Sequence, residues 1–495
     1  MNPRHSLLAA FALGAASILH ANAAASGDLL IQNVTIVTPE RSAPVSAQHV
    51  LIRGGRIAQI SAQPIAADKD VARLDGRGRF LTPGIVDSHV HLSEAPGVPR
   101  GDFPDLRPLQ EAYLRQQPRS YLYFGVTLVL DPVGFPSAIE FFEAQPLHPD
   151  VMTCTALPAL DGYPALFVPQ AFRYEVFPHY VYEPKNAQEH PLPEGANAAE
   201  HAPAALVNRL AADGTRCVKV FVEDGFGAAN DWPMLSLETL RALRTATRER
   251  GLLMIAHANA LDMQRKALAV GVDVIAHGLW NWGEADGQPD VPDEIAQHLR
   301  AVHAARIGFQ PTIRVLAGMA DLFRHDTLRD PMYKKVVPPA LLEWYATEDG
   351  GWFREELRRD MGGAPDVKIA HILLKQSEQG MRAAKYLHDL GHPLLLGSDT
   401  PSSPTYGNQP GYDTYREMRF MAQAGIPLDA IFRAATINNA RQFNLEKDYG
   451  TVAVGKIANL LLLEANPLET VRAWSMIDKI VLRGEVIERE TLAAK

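Results

Sequence analysis

The chain has 495 residues, 47% of them apolar, with 36 glycines, 36 prolines and a formal net charge of −9. This is a globular composition, too long for one simple core, so two or more structural units are expected. No block of like charge stands out, and nothing supplies the cationic face that nucleic-acid binding needs.

In chain order, residues 1–25 stand apart. Arg4 and His5 precede an apolar run from Leu7 to Leu19, and Ala21-Asn22-Ala23-Ala24-Ala25 follows. A charged start, a short apolar segment and a small-residue cleavage site read as a signal peptide, and so as an exported protein, periplasmic or secreted. The run, about 13 residues, is short for a membrane span. An uncleaved anchor is the alternative; after cleavage no stable membrane insertion is expected.

Residues 26–82 read as short alternating strands, with Gly54-Gly55 as a hairpin signal between HVLIR and RIAQI. Residues 445–495 have the same texture, in GTVAVGKIANLLLLEANP and DKIVLRGEVIE. Both ends are expected to build one small β unit, against the alternative of two unrelated sheets.

The middle, 83–444, alternates short apolar strands with helices. The candidate strands are GIVDSH, GVTLVLD, VMTCTAL, RCVKVFV, LLMIAH, VDVIAH, IGFQPT and LLLGSD, and amphipathic stretches such as LETLRALRTATRERG and LDMQRKALAVG lie between them. Repeated strand–helix units predict an α/β fold with a (β/α)8 TIM barrel, whose chemistry sits at the carboxyl ends of its strands. His89, Asp131, Lys219, His257, His277 and Asp399 fall at or near such ends. Two connections, 158–205 and 312–390, are long for simple loops and read as lids and specificity elements rather than peripheral decoration. Cys154 and Cys217, the two cysteines, sit in apolar runs and are expected as buried thiols, with a disulfide as the alternative in an exported chain.

The stretch LTPGIVDSHVHL sets two histidines two residues apart. In extended chain His89 and His91 point to one side and Val90 to the other, so the pair can converge on a metal ion or be ordinary polar residues at a strand end. Lys219 lies in VKVFV, where a lone buried ammonium is costly. It needs an ion-pair partner, or it reacts as a neutral amine with carbon dioxide to become an anionic carbamate ligand. His257 and His277 end strands about twenty residues apart, the span of one strand–helix–strand step, and Asp399 ends LLLGSD. Together these groups offer enough donors for two divalent ions.

On PGIVDSHVHL, VKVFVEDG, IAHAN, VDVIAHG, GSDTP, AATINNARQFN and GTVAVGKIANLLLLEANPL, the chain resembles the amidohydrolase superfamily, within the group of imidazolonepropionase-like hydrolases and Xaa-Pro or Xaa-basic dipeptidases. The resemblance implies a TIM barrel flanked by a small β-sandwich domain built from both termini. It implies that His89, His91 and Asp399 bind one metal, that His257 and His277 bind a second, and that Lys219 bridges them as its N6-carboxylated form. Zinc is the default ion for a histidine-rich site. The chain departs from the family's patterns at Asn259 (in HAN, often HAHG), at Ala276 (in AHG, often EHG) and at Asn459 (usually Asp). The first two alter the pocket wall, and Asn259 is therefore a substrate-binding candidate.

Two metals make hydrolysis the natural chemistry: a shared water becomes hydroxide near neutral pH, and Asp399 takes its proton and returns it to the leaving nitrogen. His277 is a second catalytic candidate. The expected substrate is a small molecule with an amide C–N bond, a dipeptide or N-acyl amino acid, whose carboxylate would meet Arg314 or Tyr163. A lactonase, a carbamate hydrolase or a cyclic-amide hydrolase would use the same site. A heterocycle deaminase is disfavoured by Ala260 and Lys219, and a binding protein with a dead site by the intact donor set. A homo-oligomer is compatible with the sequence.

Overall fold

The structure is a computed structural model, and it describes residues 27–99, 103–226, 230–324, 326–402 and 404–495. The expected signal peptide over 1–25 lies outside the described residues. The chain opens with β1 (Leu29–Ile36), β2 (Val45–Arg53), β3 (Arg56–Ser61), β4 (Ala72–Asp75) and β5 (Phe80–Pro83). β2 and β3 form an antiparallel hairpin whose turn, Gly54-Gly55, has φ of 53° and 75°. Two successive positive φ values are what the tight hairpin turn demands, and glycine meets them without a Cβ clash.

The middle holds two parallel sheets. One comprises β6 (Ile85–Asp87), β7 (Val126–Asp131) and β8 (Asp150–Thr153); the other β9 (Thr155–Leu157), β10 (Cys217–Phe221), β11 (Leu253–His257), β12 (Val274–Ala276) and β13 (Gly308–Gln310). Each strand runs parallel to its neighbour, in chain order. Helices Leu237–Glu249 and Leu261–Val270 form where the apolar period places them. Ser236 caps the first by accepting the Thr239 N–H (3.2 Å), and Gly271, at φ 71°, ends the second. Leu240 and Leu243 are buried with Met254 and Val218, the usual exchange of an amphipathic stripe for sheet contact.

Two expected strands come out differently. VMTCTAL breaks at Cys154, so that β8 pairs with β7 and β9 with β10. The register that matches Thr155 with Val218 brings Cys154 opposite Cys217, and the two form a disulfide with a Cα–Cα distance of 4.6 Å. This corrects the expectation of two buried thiols. LLLGSD is not a regular strand: Leu394 makes an isolated parallel bridge to Phe309, the Leu395 N–H donates to Phe309 O (3.0 Å), and Leu396 O accepts from the Ser88 N–H (3.0 Å). The segment thus touches β13 on one side and the end of β6 on the other. It then leaves extended geometry, with Asp399 at φ 55°, and a Cβ at Gly397 would come within 2.9 Å of the Cβ of His89. Among the described residues the parallel strands therefore form two sheets in a mixed α/β fold, not one unbroken ring of ladders.

The chain returns to the first sheet with β14 (Leu460–Leu463), β15 (Ile477–Leu482) and β16 (Glu485–Glu488). β5 pairs with both β1 and β14, so strands from both ends share one eight-stranded sheet, in the order β16-β15-β14-β5-β1-β2-β3 with β4 on β1. Ile31, Val50, Leu81, Leu460, Leu462 and Val481 form a buried cluster on it. The long connection 312–390 folds as several helices, including Arg314–Asp321, Pro339–Tyr345, Trp352–Asp360 and Asp366–Asp389. Among the described residues no helix is long and apolar enough to cross a membrane.

Candidate metal centre

The segment after β6 is clamped on both sides. The Val90 N–H donates to Leu130 O (2.9 Å), the His91 N–H to Thr400 O (2.8 Å) and the Asp399 N–H to His89 O (2.7 Å). Val90 is buried away from the site, and the alternation turns both imidazoles toward Asp399. Asp399 Oδ1 lies 2.9 Å from His91 Nε2 and 3.3 Å from His89 Nε2, and Oδ2 lies 3.6 Å from His277 Nδ1. Lys219 Nζ, from β10, stands 3.5 Å from His89 Nε2. His257 ends β11 and His277 follows β12, and their rings meet at a centroid distance of 4.4 Å. Four strands and the 394–399 segment thus deliver all six expected ligands to one place.

Around them stands a set of polar groups. Ser88 Oγ donates to Leu396 O (2.8 Å) and accepts from Gln310 Nε2 (2.8 Å), which also donates to Ser88 O (2.7 Å). The amide orientation of Gln310 is thereby fixed, and its Oε1 accepts from His89 Nδ1 (3.0 Å). The proton on His89 is held at Nδ1, and the Nε2 lone pair faces Asp399 and Lys219. Thr312 Oγ1 lies 3.1 Å from His277 Nδ1, and Glu223 Oε2 lies 3.4 Å from His257 Nε2. Asp131 accepts from the Leu92 and Val133 N–H groups (both 2.9 Å) and stands 3.9 Å from His91 Nδ1.

The electrostatics are those of a buried site. Burial brings the Lys219 amine down to about 7, against the pull of Asp399 and Asp131. Burial, then the Lys219 charge, holds His89 well below the ordinary imidazole range; burial, then His257, does the same to His277. Burial also lowers His257, with Glu223 opposing. His91 is the exception: burial opposes its charge, but the hydrogen bond and charge of Asp399 raise it. Three non-glycine residues here have left-handed backbones: His277 (φ 84°), Thr312 (φ 41°) and Asp399 (φ 55°). Such geometry costs about 1–3 kcal/mol per residue and gathers where side chains are aimed for function.

An amidohydrolase family model matches residues 344–487. Over 93% of its length the fold superposes on all of a Xaa-Pro dipeptidase solved with methionine in its active site, at a TM-score of 0.65 and 18% identity. The match over residues 344–487 and the shared fold support an amidohydrolase superfamily assignment. Another neighbour, a molinate hydrolase structure, aligns over 94% of this chain and 95% of its own, at a TM-score of 0.64 and 18% identity. Sequence similarity to curated relatives is local: the imidazolonepropionase of Vibrio parahaemolyticus is 36% identical over 80 residues, 13% of this chain and 19% of that protein. The chain thus matches less than a fifth of that relative's length.

Amidohydrolase-type metal binding can be tested against the side chains present. His89, His91 and Asp399 offer ligand atoms that all lie within 4.8 Å of one another. Metal ligands must be deprotonated, and His89, His257, His277 and Lys219 are all shifted toward their neutral forms. A neutral amine is also the form that carboxylates. The His89, His91 and Asp399 donors fit a divalent cation.

The expected substrate residues divide. Tyr163 lies beside the candidate ligands, its ring 4.9 Å from that of His257. Asn259 Nδ2 lies 3.4 Å from His257 Nε2. Arg314 corrects its expectation: it is 1% exposed, and its guanidinium donates to Asp413 Oδ1 (2.8 Å), Asp321 Oδ2 (2.8 Å) and Gly407 O (3.2 Å). It neutralises buried carboxylates instead of awaiting a substrate. Gln310, Thr312 and Glu223 are the residues that sequence reading missed. Gln310 and Thr312 ended an expected strand, IGFQPT, and that position was the one available signal.

Proposed function

We propose that this chain is an exported, binuclear metal-dependent hydrolase of an amide C–N bond, in a dipeptide or N-acyl amino acid. The observation that carries the reading is the convergence of three imidazoles on the Asp399 carboxylate, at 2.9–3.6 Å, with the buried Lys219 amine beside them. His89, His91 and Asp399 would hold one ion and His257 and His277 the other, with Lys219 between them as its carbamate; zinc suits this histidine-rich set. Two bound divalent ions would supply positive charge that polarises a carbonyl and lowers the proton affinity of water. Asp399, with an oxygen facing the cluster on each side, accepts the proton of the attacking water and passes it to the leaving nitrogen. Gln310 keeps His89 in one tautomer, and Thr312 orients His277, which assists the proton transfer.

The scaffold of this reading is a (β/α)8 barrel over 83–444, its ring completed through 394–399, with a β-sandwich unit from 26–82 and 445–495. The shared terminal sheet and the Phe309–Leu394–Ser88 contacts support it. Export is supported by the Cys154–Cys217 disulfide, which belongs in an oxidising compartment.

The test is a screen of dipeptides, N-acyl amino acids and lactones with zinc-loaded protein and bicarbonate. Amide cleavage is expected, and Asp399→Asn should lose at least about 100-fold in kcat with bound metal largely retained. Cleavage of lactones alone, or an Asp399→Asn variant with full turnover, contradicts the reading.

A further inference from the structure

The connection 158–205 and the segment after β10 bring aromatic rings together beside His257. Tyr163, next to His257, stacks on Trp232 with centroids 5.9 Å apart and an interplanar angle of 14°. Phe226 packs edge-on against both Tyr163 and Trp232, at 5.1 Å each, and stands 6.1 Å from His257. Phe167 meets Trp232 at 5.4 Å, and the buried Phe221 lies 5.6 Å from Tyr163 and 6.2 Å from His257.

These rings are held in place. A Cβ at Gly162 would meet Pro233 O at 2.3 Å, so the two segments touch backbone to backbone. Asp161 accepts from Arg173 Nη1 (2.6 Å) and the Tyr174 hydroxyl (2.9 Å), and Glu183 accepts the Ser236 N–H (2.7 Å). Even so, Phe167 and Phe226 are 48% and 45% exposed. Large rings left in water on pinned segments, continuous with a ring of the metal centre, form a surface that an apolar ligand group would cover. The occupant must also present a bond to the metal centre, which makes it part of a substrate. Arg314, the expected partner for a charged substrate end, is already engaged by Asp321 and Asp413.

We infer that this cluster is an aryl-binding subsite: the part of the substrate next to His257 carries an aromatic side chain. The inference rests on the hydrolase reading above and names the substrate class within it. Stacking and edge-to-face contacts with Tyr163, Phe226 and Trp232 would favour an aryl group over a methyl by about tenfold or more.

Two measurements separate the inference from the reading beneath it. The first is calorimetric binding of L-phenylalanine and L-alanine to the zinc-loaded protein. Phenylalanine is expected to bind about tenfold or more tightly, and Phe226→Ala to remove most of the difference. Equal affinities, or no detectable binding of phenylalanine, overturn the subsite whether or not the protein cleaves amides. The second compares kcat/KM for Phe-Ala, Ala-Phe, Ala-Ala and Ala-Asp. A preference for a Phe-bearing dipeptide that shrinks in Phe226→Ala supports the subsite; equal values or a preference for Ala-Asp overturn it. Absence of turnover on all four counts against amide hydrolysis, and the binding comparison then decides the subsite. Trp232→Leu repeats both comparisons if Phe226→Ala fails to fold.

Discussion

Gln310 shows how much of a candidate metal centre lies outside its expected ligands. Its amide is fixed by Ser88, and through His89 Nδ1 it decides which imidazole nitrogen is left to bind. Gln310→Leu should weaken zinc binding by about 10–100-fold, measured by competition with a chromophoric chelator; unchanged affinity would remove Gln310 from this role. Glu417 is a different buried group. It accepts the Ile313 and Arg314 N–H groups (both 2.9 Å), and burial raises its carboxyl to about 8. A folded-state value above the unfolded one means that the native protein binds the extra proton. Its contribution to stability is present at low pH and is lost as pH rises from about 4.5 toward 8. Glu417→Gln should flatten this part of the dependence of melting temperature on pH; an unaltered slope would rule out Glu417 as its source. At this scale the candidate ligands can be picked out because strand alternation and strand ends constrain where a side chain points. Arg314 was misjudged because its partners, Asp321, Asp413 and Gly407, are tertiary neighbours that local pattern does not reveal.

At the scale of elements, the parallel strands were legible as short apolar runs, and two of them bend to other demands. VMTCTAL looked continuous because its residues are uniformly strand-forming, but Cys154 divides it between two sheets and ties it to Cys217, two residues before Lys219. The loop closed by this disulfide, 63 residues in sequence separation, corresponds to about 4 kcal/mol of lost unfolded-state entropy. Cys154→Ser with Cys217→Ser should therefore lower the melting temperature by several degrees; a melting temperature equal to that of the parent would show that the bond carries no stability. LLLGSD kept its leucines buried as expected, but not its strand. Gly397 presses against His89 and the left-handed Asp399 turns the carboxylate inward, so geometry serving the site interrupts the ladder. Neither a Gly nor an Asp in sequence announces such a turn after an apolar run.

For the whole molecule, the shared texture of the two ends was a sound guide, since β5 lies between β1 and β14 in one sheet. What sequence did not reveal is how that sheet is fastened to the parallel unit. Asp150, the first residue of β8, accepts from Asn459 Nδ2 (2.7 Å), Arg483 Nη2 (2.7 Å) and the Tyr449 hydroxyl (2.9 Å). An Asp at 459 would set two carboxylates against each other there, which gives the departure Asn459 a local reason. Of the long connections, 312–390 folds as helices, in keeping with its sequence, and the aromatic-rich 158–205 reaches the candidate metal centre through Tyr163. The most direct measurement is anomalous diffraction from crystals of the zinc-loaded protein grown with bicarbonate. Two zinc peaks are expected, one among His89, His91 and Asp399 and one at His257 and His277, with extra density extending Lys219 between them. A map with no peak among these residues, and Lys219 unmodified, would contradict a binuclear hydrolase.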